Sequence, residues 1–155
     1  MTIGVEVEAG ASFASVTSAG PSANSTDDFV GRGWAFPLRL DSTGAFALSG
    51  GDDDVAESIR LILGTSPGER PMRPEFGCPI HDLVFDTVDA SLAGRVGSLV
   101  EAALTRWEPR IDVLRVVASP DPAAPHVLRI AVDYRISATN DRRNLVFPFY
   151  SIPEE

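Results

Sequence analysis

Residues 105–111, which read Thr-Arg-Trp-Glu-Pro-Arg-Ile, constrain the fold of this chain more than any other stretch. They close a long amphipathic segment, and a run of alternating apolar residues begins directly after them. The ring of Pro109 has no N–H, fixes its own φ and disfavours a helical residue before it, so the helix must end at Glu108. We therefore predict a rigid elbow between a helix and a strand, with Trp107 over its apolar side. Glu108 and Arg110 are predicted to lie at its surface.

Two segments show the three- and four-residue spacing of amphipathic helices. The first begins at residues 52–54, three consecutive aspartates, and ends before a glycine at position 64. We interpret the aspartates as an N-terminal cap, since Asp54 and Glu57 have the spacing of a capping box. A cation site is the less favoured alternative, because acids at this end of a helix are already stabilised by its macrodipole. The second helix is predicted over residues 89–107.

The remaining apolar patterns are those of strands. Residues 33–40 and 45–48 flank a turn at residues 41–44 and predict a hairpin. Three later strands are predicted at residues 111–117, 127–136 and 145–150. The last is apolar on both faces, which is unusual for an edge strand that faces solvent. Two helices on one side of a small, mainly antiparallel sheet predict the α+β class.

The two ends of the chain differ in composition. Residues 1–28 are mostly small and polar, and their few apolar residues include the alternating Ile3, Val5 and Val7. Such a segment cannot offset its own ordering entropy, so we predict an extended N-terminal arm that orders only on a partner. Residues 29–155 are predicted to form one domain. Within it, residues 65–80 hold four prolines and predict a rigid irregular loop.

The charge balance narrows the classes of partner. All 13 basic residues are arginine, and 22 acids give a net charge of −9. A field of this sign opposes nucleic acid and anionic membranes, so neither is expected as a partner. No apolar run is long enough to span a bilayer and no secretory signal is recognisable, which predicts a cytoplasmic protein. A single cysteine excludes an internal disulfide framework.

Residues that could carry chemistry are few. Cys78, His81 and Asp82 have the spacing of half a zinc site, but His126 is the only other histidine. We therefore predict no metal and no cofactor. Among the carboxylates, Glu69, Glu75 and Glu108 are candidates for glycosidic hydrolysis.

Adjacent arginines argue against that use. Glu69 precedes Arg70, and Glu108 lies two positions before Arg110. A neighbouring positive charge favours the ionised carboxylate, whereas a general acid needs a raised pKa. We interpret these glutamates as ion-pair partners and predict no catalytic residue.

Several short motifs follow one another with compatible spacing. They are Phe36-Pro37-Leu38, the helix end at residues 61–65, Pro67-Gly68-Glu69-Arg70, Phe76-Gly77, Glu108-Pro109-Arg110 and the alternating strand through Tyr134. Over residues 30–150 the chain resembles the baseplate wedge and sheath-initiator family. That family serves contractile phage tails, type VI secretion systems and extracellular contractile injection particles.

The resemblance implies a structural protein that docks on the baseplate wedge and initiates sheath assembly around the inner tube by strand addition. It implies wedge proteins, the sheath protein and inner tube or hub proteins as partners, with six copies in a particle assembled in the cytoplasm. Some family members carry a lysozyme-like name, so a peptidoglycan-hydrolysing enzyme is the alternative function.

The resemblance also assigns sites. The family's Glu-Pro-Arg motif is linked to wedge docking, and the residues assigned to docking are Glu108, Pro109, Arg110, Glu69 and Arg70. The residues assigned to sheath strand addition are Leu145, Val146, Phe147, Phe149 and Tyr150. One alternative stays open for each site. At the elbow, Arg110 ties the elbow to Glu69 instead of docking. At the last strand, both faces are covered within the domain.

Overall fold

The computed structural model describes residues 30–151, and the predicted arm at residues 1–28 lies outside them. The elements in chain order are β1 (Arg32–Trp34), β2 (Leu48–Gly50), α1 (Gly51–Leu63), a 3-10 helix (Pro79–Leu83), α2 (Ala90–Trp107), β3 (Ile111–Asp121), β4 (Ala124–Ile136) and β5 (Arg142–Tyr150). Two helices and antiparallel strands confirm the predicted α+β class. Neither described helix is long and apolar enough to cross a membrane.

The main sheet is a meander of β3, β4 and β5, with β4 in the centre. Alternation along β4 buries every second side chain, as the sequence predicted; these residues are Leu128, Ile130, Val132, Tyr134 and Ile136. Helix α2 packs across β3, and α1 packs against α2. Both helices therefore cover one face of the sheet, and the core lies between them and β4.

The predicted N-terminal hairpin forms, but its ladder is shorter than expected. β1 pairs with β2 only from Arg32 to Trp34, and beyond it an isolated bridge joins Leu40 to Phe46. The turn between them is held by the Asp41 side chain, which accepts the Thr43 backbone N–H at 2.8 Å. The ladder is interrupted around Pro37, which lacks an amide donor.

The predicted cap of the first helix is wrong. The N-cap residue is Gly50, whose position supplies no side-chain cap, and Gly51 has a φ of +59° that turns β2 directly into α1. Asp54 therefore lies inside the helix, where its carboxylate is free to bind another element. Glu57 likewise accepts the Phe36 backbone N–H at 3.1 Å instead of closing a capping box.

The second helix agrees with its prediction. Asp89 is its N-cap and accepts the Leu92 backbone N–H at 2.7 Å. Between the two helices, Gly77 has a φ of +118°, and a Cβ at this position would lie 2.2 Å from the Thr65 carbonyl oxygen. Only glycine fits there, so the proline-rich loop is fixed against the end of α1.

Candidate functional site

The predicted elbow is present at the junction of α2 and β3. Glu108 is the C-cap of α2, and its N–H donates to the Leu104 carbonyl at 2.9 Å. The Ile111 N–H then donates to the Glu108 carbonyl at 3.3 Å, so the chain turns into β3 within three residues. Trp107 is half-buried and packs on Phe76, with ring centroids 5.4 Å apart.

Asp54, Glu108 and Arg110 form an ion cluster at the elbow, which we call the elbow clamp. Arg110 Nε and Nη2 donate to the two carboxylate oxygens of Glu108 at 2.7 and 2.8 Å. Arg110 Nη1 donates to Asp54 Oδ2 at 2.5 Å and to the Val30 carbonyl at 3.2 Å. The clamp thus joins the elbow to α1 and to the segment that leads into β1.

The clamp faces inward, which corrects the predicted surface position of Glu108. Glu108 is only 2% exposed, and the Arg110 side chain is 32% exposed. Helix α1 covers the elbow, and Ser58 of that helix also bonds the Glu108 carboxylate. Arg110 has five N–H groups and uses four of them within the chain. Among the residues that the structure describes, the fifth N–H has no acceptor. Pro109 is exposed.

The electrostatics of the clamp keep Glu108 and Arg110 charged. Burial acts to raise the pKa of Glu108, but hydrogen bonds from Arg110 and Ser58 and the charge of Arg110 hold that pKa below its ordinary value. The hydrogen bonds with Glu108 in turn raise the pKa of Arg110. Glu108 is therefore an ionised anchor, the opposite of a general acid that needs a raised pKa.

The structure places Glu69 and Arg70 on the proline-rich loop, away from the ion pairs of the clamp. Glu69 Oε2 accepts the Ser66 backbone N–H at 2.8 Å, and both carboxylate partners of Arg110 are other residues. The alternative in which Arg110 ties the elbow to Glu69 is therefore wrong. The Arg70 guanidinium lies 4.2 Å from the centroid of the Phe76 ring. Since Phe76 packs on Trp107, the loop and the elbow form one continuous surface.

The last strand, β5, has one covered face and one open face. Leu145 and Phe149 are buried and Phe147 is partly buried against the core. On the other face Val146 and Tyr150 are each 50% exposed. Among the described residues, therefore, the domain covers only one face of this strand.

The backbone of β5 is also open on one side. Within the described part of the chain, β5 pairs only with β4, and their register is continuous from Val127↔Tyr150 to Arg135↔Arg142. The Ser151 N–H donates to the His126 carbonyl at 2.9 Å, which extends this register by one pair. Because bonded and non-bonded pairs alternate in an antiparallel ladder, the backbone groups of Val146, Pro148 and Tyr150 point away from β4.

The residues considered for zinc are used in packing. Cys78 is buried, and this burial raises its thiol pKa to about 11. His81 Nε2 lies 3.1 Å from the Leu63 carbonyl oxygen, and its ring meets Phe149 edge-on. Within residues 30–151 no group of three or more histidine, cysteine or acidic side chains is placed to hold a metal ion.

Sequence reasoning missed two members of the site, Asp54 and Ser58. Both lie on α1, more than 50 positions from Arg110 in the chain, and their role depends on how α1 packs over the elbow. The sequence did contain a signal that Asp54 has another role, because one aspartate is enough to cap a helix and three are present. The surplus acids pair with arginines of later elements, Asp54 with Arg110 and Asp52 with Arg143.

A family model, a phage protein and two solved structures are similar to this chain. The model of the family described as baseplate wedge protein gp25 matches residues 49–141, which include α1, the proline-rich loop and the elbow. Baseplate wedge protein gp25 of Enterobacteria phage T4 is 34% identical over 83 residues, or 54% of this chain. The match spans 63% of the phage protein's own length.

Two solved structures share the fold over most of their length. A protein of Geobacter sulfurreducens, provisionally named a tail lysozyme, is 52% identical, with a TM-score of 0.64 over 70% of this chain and 97% of its own. A chain of the anti-feeding prophage baseplate is 26% identical, with a TM-score of 0.62 over 83% of this chain and 92% of its own.

Proposed function

The chain belongs to the baseplate wedge protein gp25 family, and from that premise we propose that it is a structural baseplate component of a contractile injection particle. In this proposal it docks on the baseplate wedge and initiates sheath assembly around the inner tube by accepting a strand from the sheath protein. The open edge of β5 is the observation that carries this proposal.

The edge has the properties that strand addition requires. An exposed row of unpaired backbone groups is a template for another strand, and soluble proteins normally cover or charge it. At the end of β5 nearest the C-terminus, the outward-facing positions carry Val146, Pro148 and Tyr150, which are uncharged. Pro148 offers only a carbonyl, so the donors of this part of the edge are the N–H groups of Val146 and Tyr150. Backbone bonds supply the affinity of such pairing, and the alternating side chains set its register. Leu145, Phe147 and Phe149 support the edge by anchoring β5 to the core.

The wedge-docking site is proposed at the elbow and the proline-rich loop, which meet where Phe76 packs on Trp107. Glu69, Arg70 and Pro109 are exposed, and Arg110 keeps one N–H for a partner. Glu108 takes part indirectly, because it holds Arg110 in place. The elbow clamp therefore fixes the shape of the surface that docks.

The proposed partners are wedge proteins, the sheath protein and inner tube or hub proteins, with assembly in the cytoplasm. Six copies per particle are proposed. The anti-feeding prophage baseplate, which contains a chain similar to this one, is described with six-fold symmetry.

We do not propose the alternative function of a peptidoglycan hydrolase, although one similar protein carries a lysozyme name. The candidate general acid Glu108 is held ionised by Arg110, and Glu75 pairs with Arg106. We expect purified protein to leave peptidoglycan intact. Clearance that disappears in a Glu69→Gln, Glu75→Gln or Glu108→Gln variant would establish the enzyme instead.

Strand addition is tested by placing charges on the open face of β5. Val146→Lys with Tyr150→Glu changes two half-exposed side chains and leaves the core face intact. We expect baseplates that contain this variant to assemble normally and to grow no sheath. A matched control is Leu114→Lys, a charge at another exposed apolar residue of the sheet. Normal sheath growth from the double variant would exclude this edge.

A further inference from the structure

The tip of the proline-rich loop is the turn formed by Arg70, Pro71, Met72 and Arg73, which we call the Met72 turn. The Arg73 N–H donates to the Arg70 carbonyl at 3.0 Å, with Pro71 in the second position, as in a standard β-turn. Met72 is 94% exposed, more than any other large apolar side chain in the described residues. Because residues 30–151 bury almost none of this side chain, packing within them gives no reason for a methionine at this position.

The turn is rigid although it protrudes. At its base the Gly68 N–H donates to the Pro74 carbonyl at 2.7 Å, and the Phe76 N–H donates to the Arg73 carbonyl at 3.0 Å. The Cys78 N–H donates to the Thr65 carbonyl at 2.9 Å and ties the loop to α1. A preformed tip loses little conformational entropy on binding, which is a property of contact elements.

The charges around Met72 point to an acidic partner. Arg70 and Arg73 flank it, and neither forms an ion pair with any residue in the described range 30–151. Arg70 is instead held over the Phe76 ring, which fixes its direction while leaving its N–H groups available. The neighbouring Glu75 is already paired with Arg106.

These two arginines lie on a chain whose net charge is −9. A net negative charge weakens the attraction between this chain and other acidic proteins, so a local pair of unneutralised guanidinium groups favours approach of an acidic partner at this turn. The planar guanidinium group of arginine can donate two parallel hydrogen bonds to one carboxylate. The flexible side chain of methionine adapts to irregular apolar pockets.

We infer that the Met72 turn inserts Met72 into an apolar pocket of an acidic protein, with Arg70 and Arg73 binding carboxylates at the pocket rim. This inference rests on the proposed function, since it names the chemistry that the wedge-docking surface recognises. It adds Met72 and Arg73 to that surface and specifies a partner segment with carboxylates around an apolar centre.

The inference is tested by photo-crosslinking in assembled particles. A benzophenone amino acid replaces Met72, or Ser98 as an exposed control on α2, and crosslinked peptides are identified by mass spectrometry. We expect position 72 to crosslink to one particle protein at a segment rich in Asp and Glu, and position 98 not to reach that segment. Crosslinking to a basic segment or to nucleic acid, or no crosslinking above the Ser98 control, would overturn the inference.

Charge reversal gives the second arm. Arg70→Glu with Arg73→Glu should leave the melting temperature unchanged and reduce incorporation into particles at least tenfold, whereas Arg60→Glu at another exposed arginine should not. Reversing two carboxylates of the crosslinked segment to Arg should restore incorporation. Full incorporation of the double variant overturns the inference but leaves the baseplate assignment standing, because the wild-type protein is scored for incorporation in the same particles. Absence of the wild-type protein from particles overturns both.

Discussion

Arg110 donates hydrogen bonds of 2.7 and 2.8 Å to the two carboxylate oxygens of the buried Glu108, which lies two residues earlier in the chain. Pro109 lies between them, and its fixed φ stiffens the turn so that two residues so close in the chain can form a bidentate ion pair. Since Asp54 holds the same guanidinium from α1, the pair fixes the elbow to the helix that packs on it. A motif expected at the surface is therefore largely an internal clamp, which shapes the surface that we propose for docking.

Removal of the Glu108 charge should destabilise the fold. Glu108→Gln keeps the size of the side chain but leaves Arg110 without its main partner. Breaking one member of a buried pair costs about 3–5 kcal/mol, and the partial exposure of Arg110 places the expected loss near the lower end. Urea denaturation measures it. Glu101→Gln, an exposed glutamate of α2, should change the free energy of unfolding by less than about 0.5 kcal/mol. Equal stability of Glu108→Gln and wild type would refute the clamp.

The same pair predicts a dependence on acid. Because the pKa of Glu108 is lower in the folded protein than its ordinary value of 4.5, its contribution is fully present above about pH 4.5. It is lost as the pH falls through the folded-state pKa. The difference in unfolding free energy between wild type and Glu108→Gln should therefore be constant near neutral pH and shrink in acid. A difference that grows on acidification would contradict the sign of this pKa shift.

The clamp can also be perturbed from the hairpin side. A Cβ on Gly33 would lie 2.4 Å from Asp54 Oδ1, so Gly33→Ala must displace the carboxylate that binds Arg110. We expect a loss smaller than the about 3–5 kcal/mol of a fully broken buried pair, because the Asp54 carboxylate is displaced and not removed. Gly94→Ala is the control, since no atom lies within 4 Å of its Cβ position in α2. It should stabilise the protein by about 0.5–1 kcal/mol through helix propensity. If both variants are stabilised, Asp54 is not confined by β1.

The elements that follow local periodicity were predictable from the sequence. The stripe of α2 and the alternation of β4 repeat simple patterns, and the structure confirms them. The prediction of the α1 cap was wrong because Gly50 and Gly51 allow β2 to turn directly into the helix. Capping rules assume that a polar side chain is needed at that position, and here the backbone itself makes the turn.

The burial of Glu108 could not be read from its neighbours. The pattern correctly places it at a helix end beside a proline, but burial depends on α1, which arrives from the other half of the chain. Tertiary packing of this kind leaves no periodic trace. The excess of aspartates over what a cap requires was the one trace of it, because charged residues are rarely buried unless they are paired.

The proposal that the edge of β5 accepts a sheath strand is tested most directly by two proline substitutions, one on the edge and one as its control. The Val146 N–H points away from β4, so Val146→Pro should fold normally by circular dichroism and yet remove a donor from the edge, as Pro148 already does two positions later. Phe147→Pro removes an N–H that bonds β4 and should destabilise the domain itself. We expect baseplates containing folded Val146→Pro protein to nucleate little or no sheath, measured by electron microscopy of particle length. Sheath of normal length and yield on those baseplates would contradict it.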